Sequence, residues 1–278
     1  MKRLVVPVLA FSLTAIACGS DATGDSPGTP TLPPEPDAVV LTVGFEGGFA
    51  PVDAVYDPLP IYVLFSDGRL VSQGPTAAIF PGPKLPNLQV AQLNDDQRSE
   101  VLGLVDQVGL PQMTDERDNN LDDAGNVADA PDTVFAYSDS NGEHRYAVYA
   151  LGITDTPTQQ RHAAAQDLVS LLHDLSATAE QTGEYEVDRL HILISEDFGA
   201  SAEPEATTVA WPLSTPTSDF TPVVLDLRCH VFEAAAAQEA LTALQSTNQL
   251  TFWDEAGTVY RPTPRPLFPG ETGCPTVP

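Results

Sequence analysis

IYVLFSDGRLVS, residues 61–72, is the stretch that predicts the fold most directly. Two apolar runs, Ile61–Phe65 and Leu70–Ser72, flank the dipeptide Asp67-Gly68. Asp-Gly between such runs is typical of a two-residue hairpin turn, because both central residues of that turn need positive φ. The stretch therefore predicts a β-hairpin, and with it an antiparallel pair of strands.

Two more hairpins are predicted, one around Asn141-Gly142 and one around Gly257. Three further strand-like runs lie outside the hairpins. The hairpin arms are Thr133–Tyr137, Glu143–Leu151, Leu250–Trp253 and Val259–Arg261, and the other runs are Val39–Phe45, Leu190–Ile194 and Val223–Leu227. Since hairpins join antiparallel strands, we expect a mainly antiparallel sheet.

Three helices are predicted between these strands. Asn94 and Gln97 form a capping-box pattern at the start of the first helix, and Gly109 follows its end. The second runs from about Thr158 to Leu175 and the third from about Glu233 to Ser246. Each has an apolar face, formed by Val101, Leu104, Val105 and Val108, by Ala164, Leu168, Leu171, Leu172 and Leu175, and by Ala237, Ala240, Leu241 and Leu244.

The order of these elements predicts an α+β fold, with a mainly antiparallel sheet built from hairpins and about three helices packed on it. Glu180–Glu184 interrupts the pattern and indicates a boundary. We expect one α+β domain at residues 39–180 and a C-terminal α+β subdomain at residues 181–278.

The N-terminus has the features of a lipoprotein signal peptide. Lys2 and Arg3 precede an apolar run that ends at Ala17, directly before Cys18. The run is too short to cross a bilayer of about 30 Å as a helix, but it has the length of a signal-peptide core. Residues 13–20 (LTAIACGS) resemble a bacterial lipobox, which predicts cleavage after residue 17 and lipidation of Cys18. Ordinary secretion with a free Cys18 is the alternative.

Residues 18–38 are dominated by Gly, Ser, Thr, Asp and Pro and predict a disordered linker. A single acyl chain binds membranes only marginally, whereas the diacylglycerol group usual in bacterial lipoproteins anchors stably. We therefore expect the folded part to lie on the extracytoplasmic face of the cell membrane or outer membrane, tethered through the lipid on Cys18.

Composition limits the partners. The net charge is −27, which excludes ordinary nucleic-acid binding because that requires Lys and Arg to replace phosphate counterions. The same charge disfavours direct adhesion to anionic headgroups. Solubility explains the acidity, with calcium or a cationic partner as the alternative.

The chain has three cysteines. With Cys18 assigned to lipid, Cys229 and Cys274 remain as a pair in an exported protein, where disulfides persist. The sequence predicts a Cys229–Cys274 disulfide, and two free thiols are the alternative.

Known catalytic motifs for hydrolases, phosphate binding, dinucleotide binding and zinc are absent from the sequence. His162 and His173 fall on one face of the second predicted helix about 16 Å apart, too far to share a metal, and are expected to face solvent. His191 and Ser195, near Glu196 and Asp197, are the candidates for nucleophilic catalysis, although Ser195 is more typical of a turn. Trp211 and Trp253 are expected in the core, with a binding groove as the alternative.

One acidic loop matches the ligand spacing of a calcium-binding loop. The matching positions are Asp118, Asn120, Asp122, Asn126 and Asp129, with the carbonyl of Ala124 between them. Asp123 stands where the sharp turn needs Gly, and a strand follows instead of a helix. Calcium binding and a solvated acidic loop both remain open.

Several segments together resemble a group of secreted bacterial lipoproteins of uncharacterised function. They are FSDGRLVSQGP with AIFPGP, GNVADAPDTVF, and CHVF with RPLFPGETGC. The resemblance implies an exported, lipid-anchored protein and assigns no activity to any residue.

The sequence therefore predicts a lipid-anchored extracytoplasmic envelope protein with a non-catalytic binding or scaffolding role. Its partner would be another envelope protein or a small ligand. The alternatives are a secreted hydrolase with a site assembled from distant residues, and a protease-inhibitor-like module presenting a Pro-rich loop.

Overall fold

The computed structural model describes residues 32–49, 58–125, 127–154, 156–197, 199 and 202–275. The predicted α+β class is confirmed: two mostly antiparallel sheets carry three substantial helices. Cys18 and the predicted signal peptide lie outside the described residues.

The first sheet contains the first eight strands, in the order β5-β7-β6-β1-β2-β3-β4-β8. Only the β5–β7 pair is parallel. The strands are β1 Val39–Glu46, β2 Tyr62–Phe65, β3 Arg69–Gln73, β4 Leu88–Gln92, β5 Asp115–Asp118, β6 Asp132–Asp139, β7 Gly142–Tyr149 and β8 Glu180–Glu184.

The hairpin predicted at Asp67-Gly68 joins β2 to β3. Gly68 has φ +89°, and a Cβ there would meet the carbonyl oxygen of Leu93 at 2.9 Å, so only glycine suits this turn. The β6–β7 hairpin predicted near Asn141-Gly142 also forms.

Two helices cover one face of the first sheet, α1 Asp95–Val108 and α3 Gln160–Thr178. The single turn α2 Leu121–Ala124 lies between them in the chain. The predicted capping box is present, since the Asn94 side chain accepts from the Gln97 amide and the Gln97 side chain accepts from the Asn94 amide. The predicted α1 stripe buries Val101, Val105 and Val108 against the α3 stripe and the sheet.

The second sheet has the order β10-β13-β14-β9-β12-β11 and packs on one helix. Its strands are β9 Arg189–Glu196, β10 Thr207–Ala210, β11 Thr221–Pro222, β12 Arg228–Glu233, β13 Thr251–Glu255 and β14 Thr258–Pro266. The helix is α4 Ala234–Gln245. Along β9, Leu190, Ile192 and Ile194 share a core with α4, whereas His191 and Leu193 point to the opposite face, as the two-residue period requires.

Three boundaries differ from the sequence prediction. β8 belongs to the first sheet, so the second sheet starts at Arg189, beyond the boundary predicted at 180. Val223–Leu227 is the turn between β11 and β12, in which the Val223 amide donates to the carbonyl of Leu227 and the Leu227 amide donates to that of Val224. The predicted linker also ends before residue 38, since Leu32 packs on the first core and Asp37 pairs with Arg69.

β14 continues beyond the predicted strand Val259–Arg261 into a proline-containing segment. Pro262, Pro264 and Pro266 pair in register with β9, and the amide of Leu267 donates to the carbonyl of Arg189. In an antiparallel pair, alternate residues turn their N–H and C=O groups toward the partner strand. The three prolines occupy the other positions, so they remove no hydrogen bond between β14 and β9.

The C-terminal segment joins the two sheets. Phe268 packs with Val63 and Phe65 on the face of the first sheet opposite to α1 and α3. The predicted disulfide is confirmed, since Cys229 on β12 bonds to Cys274 with a Cα–Cα distance of 5.8 Å. Because the two cysteines are 45 residues apart, the chain-entropy model gives a stabilisation of the folded state of about 4 kcal/mol from this disulfide. Among the described residues, no helix is long and apolar enough to cross a membrane.

Candidate functional site

A cleft of about 780 Å³ lies between the two sheets. The first sheet contributes the end of β1, the segment that leads into β2, and the irregular segment 83–87 before β4. The second sheet contributes β9 and the proline half of β14. A cavity of this size suits a small-molecule ligand, for which sites of about 300–1,000 Å³ are typical.

Apolar side chains form most of the walls. Leu59, Ile61, Leu85 and Leu193 line the interior together with several prolines. Phe45 and Phe49 line the same cleft and are 45% and 95% exposed. Exposed aromatic side chains around an apolar cavity are typical of a binding site.

His191 lies on the wall formed by β9 and is completely buried. Its Nδ1 donates to the carbonyl of Gly273 at 3.2 Å. Burial, with the nearby charge of Arg265, lowers the pKa of His191 to about 4. The ring is therefore neutral at pH 7.

Arg265 on β14 forms a two-pronged ion pair with Glu271, with N–O distances of 2.9 and 2.7 Å. Its guanidinium also donates to the carbonyl of Pro58, which belongs to the segment leading into β2, at 3.3 Å. The ion pair with Glu271 compensates the charge of Arg265. The hydrogen bond to Pro58 links the second sheet to the first.

The proline half of β14 presents backbone carbonyls away from β9. The Lys84 ammonium donates to the carbonyl of Pro262 at 3.0 Å, and Arg265 donates to that of Pro266. Proline has no N–H, so this edge offers hydrogen-bond acceptors and, at Pro262, Pro264 and Pro266, no backbone donors. The cleft therefore combines apolar walls with a few fixed polar groups.

The structure separates the candidate catalytic residues. His191 and Ser195 lie on the same face of β9 but four residues apart, which corresponds to about 13 Å along a strand. That separation is too large for a hydrogen bond between them. The described residues that line the cleft include no serine, cysteine or tyrosine.

The two tryptophans lie in the second core. Trp253 is fully buried, and its ring meets that of Trp211 edge to face with centroids 5.3 Å apart. The Trp211 Nε1 donates to the carbonyl of Thr215. The predicted core role is confirmed for both, and neither lines the cleft.

The acidic loop contains a cluster that the sequence did not predict. His162 on α3 is 1% exposed, so the prediction that it faces solvent was wrong. Its Nδ1 lies 2.8 Å from Asp123 Oδ2, and its Nε2 lies 3.1 Å from Asp118 Oδ2. His173 is exposed, as predicted, and meets Tyr62 Oη at 3.2 Å.

These contacts fasten the acidic loop to the start of α3. Asp123 Oδ1 accepts from the backbone amide of Thr158, just before the helix, and its Oδ2 faces His162. Asp118 accepts from the amide of Asn120 and also faces His162. Burial raises the pKa of Asp118, but hydrogen bonds from the Asn120 amide and from His162 outweigh it and lower the pKa. The pKa of Asp123 is lowered by hydrogen bonds from His162 and from the Thr158 amide, against a smaller opposing effect of burial.

The candidate calcium ligands do not all meet. Asp118, Asn120 and Asp122 line one pocket of about 440 Å³. Asp129 instead lines the cleft between the sheets, and Asn126 lies outside the described residues. Within the described part of the chain, no group of three or more His, Cys, Asp or Glu residues is arranged to hold a metal ion. Calcium binding stays a prediction.

Comparison with known proteins adds no identification. No protein-family model matches the chain, and neither a curated protein nor a solved structure shows detectable similarity to it. The functional assignment therefore depends on the residues and cavities described above.

Proposed function

We propose that this protein is a lipid-anchored, extracytoplasmic, non-catalytic binding protein that holds a largely apolar, uncharged ligand in the cleft between its two sheets. The cleft itself is the observation that carries the proposal. Its volume, apolar walls and few oriented polar groups are those of a small-molecule site.

Two polar groups of the cleft, His191 and Arg265, favour an uncharged ligand. His191 is neutral at pH 7, and the charge of Arg265 is compensated by Glu271. A charged ligand would lose its hydration without meeting an uncompensated opposite charge at these two residues. A ligand with one donor group would find acceptors in the carbonyls along Pro262–Pro266.

The N-terminal sequence supports the tether. Cys18 follows a secretion signal directly, and a Pro-rich spacer separates it from β1. A diacyl lipid on Cys18 would hold the cleft near the membrane surface, where apolar molecules are concentrated.

Titration of the purified protein with Nile red, an uncharged apolar fluorescent dye, tests the proposal. Phe49 is 95% exposed at the cleft, so Phe49→Ala should leave folding unchanged. It should weaken dye binding by about threefold to tenfold, as expected from the loss of one aromatic contact.

Phe80→Ala is the matched control. Phe80 is 73% exposed and is not part of the cleft lining, so its removal should leave the affinity unchanged. Equal effects of the two substitutions, or no saturable binding to the unsubstituted protein, would rule out the cleft as the site.

A further inference from the structure

The edge strands of the two sheets differ in how they are protected against pairing with another chain. The terminal strands are β5 and β8 in the first sheet, and β10 and β11 in the second. An exposed terminal strand is a template for pairing with another chain, and proteins usually block it with charges, proline or extreme shortness.

Three of these strands are blocked. β5 is Asp-Glu-Arg-Asp, and β8 begins and ends with glutamate. β11 has only two residues, and the second is Pro222. These strands are poor templates for a further strand.

β10 has none of these protections. Its sequence is Thr207-Thr208-Val209-Ala210, and all four residues are exposed. Val209 is 43% exposed. Among the terminal strands in the described part of the chain, β10 is the one with neither a charge nor a proline.

The register determines which backbone groups of β10 are available. β10 runs parallel to β13. The amide of Thr207 donates to the carbonyl of Leu250 at 3.0 Å, and that of Trp211 donates to the carbonyl of Asp254 at 2.8 Å. Because N–H groups of alternate residues face the same side of a strand, those of Thr208 and Ala210 point away from β13. Their carbonyls point the same way.

The charge near β10 indicates what would bind there. Glu203 and Glu205 precede the strand and are exposed, and the whole chain carries a net charge of −27. A second copy of this chain would bring like charges together. An extended segment with flanking Lys or Arg residues would instead be attracted to this edge.

We propose that β10 is a docking edge at which an extended, basic segment of a partner protein adds as a further strand of the second sheet. The backbone groups of Thr208 and Ala210 supply the hydrogen bonds, and Glu203 and Glu205 supply the charge complementarity. This inference is independent of the ligand proposed for the cleft.

The test measures binding of the synthetic, fluorescein-labelled peptide KKTVTVTKK by fluorescence anisotropy, at about 0.15 M salt to suppress unspecific attraction. Thr208→Pro removes an N–H that faces away from β13, so the pairing with β13 and the fold should persist. Thr208→Ala is the matched control, since it keeps that N–H. We expect Thr208→Pro to weaken binding by about tenfold and Thr208→Ala to leave it unchanged.

Two measurements make the result decisive. Thermal unfolding of both variants should match that of the unsubstituted protein, and a peptide with proline in place of all three threonines should bind more weakly. Equal affinity for Thr208→Pro and Thr208→Ala, or no binding to the unsubstituted protein, would overturn the proposal. So would a concentration-dependent dimer that Thr208→Pro abolishes, because the occupant would then be a second copy.

Discussion

At the residue scale, His162 is the side chain that joins the acidic loop to α3. It is buried between Asp118 and Asp123, and both of its ring nitrogens face carboxylate oxygens. Both carboxylates can accept a hydrogen bond from the ring. The cluster joins the acidic loop to α3.

His162→Ala should destabilise the protein by about 2 kcal/mol, because it removes a buried, hydrogen-bonded side chain. Urea unfolding at pH 7 measures the loss. His173→Ala is the control, since His173 lies exposed on the same helix and should cost little. A similar loss for both substitutions would contradict the role assigned to the cluster.

The same pair of proteins should differ in pH dependence. The pKa values of Asp118 and Asp123 are lowered in the folded state. Their contribution is therefore complete above the unfolded pKa of about 3.9 and is lost as the pH falls through the folded values. The stability difference between the unsubstituted protein and His162→Ala should shrink on acidification below pH 4.

The calcium hypothesis has a separate test at this scale. If Asp118 and Asp129 are ligands, millimolar calcium should raise the melting temperature of the unsubstituted protein but not that of Asp118→Ala/Asp129→Ala. The reason is that the ion would relieve repulsion among the loop carboxylates. Equal shifts in the two proteins, or none in either, would leave only the solvated loop.

The environments of single side chains such as His162 were predicted least accurately from the sequence. The i, i+3 spacing of His162, Ala165 and Leu168 places the histidine on the buried face of α3, and that signal was present in the sequence. The partners Asp118 and Asp123 are distant along the chain, so their contact depends on the packing of the loop on the helix. Arg265 was missed because its partners also come together only in the folded chain.

At the element scale, the stability of α1 depends on the capping box at its N-terminus. Asn94→Ala should cost about 1 kcal/mol, because the Gln97 amide would lose its acceptor at the start of the helix. Asn94→Ser keeps a capping hydroxyl and should retain nearly full stability. Thermal unfolding of the two variants tests this, and equal losses would show that the cap contributes nothing specific.

Elements with local signals were the ones predicted correctly. The Asp67-Gly68 turn, the Asn94 cap and the left-handed Gly109 each depend on residues close in sequence. The proline half of β14 depends on β9 instead, since prolines fit only where the hydrogen-bonding groups face away from the partner strand. Which groups of β14 face β9 depends on how the two strands pair, and the sequence of β14 alone does not predict that pairing.

At the scale of the whole molecule, the proposed tether through Cys18 would decide where the cleft operates. Cys18→Ser should release the protein from the membrane fraction of its native host, because the acyl chains would be lost. Ser20→Ala leaves the proposed lipidation site intact and should stay with the membrane. Unchanged membrane association of Cys18→Ser would contradict the lipobox interpretation.

The cleft was not predicted, although two of the strands that line it, β1 and β9, were. The sequence indicated the strands on each side, including Leu190–Ile194, but not that His191 and Leu193 would face the first sheet. That arrangement depends on the C-terminal segment, where Phe268 packs on the first sheet and Arg265 reaches Pro58. Both contacts join residues that are far apart in the chain.

The most direct test of ligand binding in the cleft is an NMR titration of the purified protein with Nile red, followed at assigned backbone amides. Binding in the cleft should cause saturable shifts at Ile61, Leu85 and Leu193, which line it from both sheets. Thr208 on the edge of the second sheet and Asn120 in the acidic loop should not shift. Shifts centred on those two residues, or none in the cleft at saturating dye, would show that the dye does not bind in the cleft.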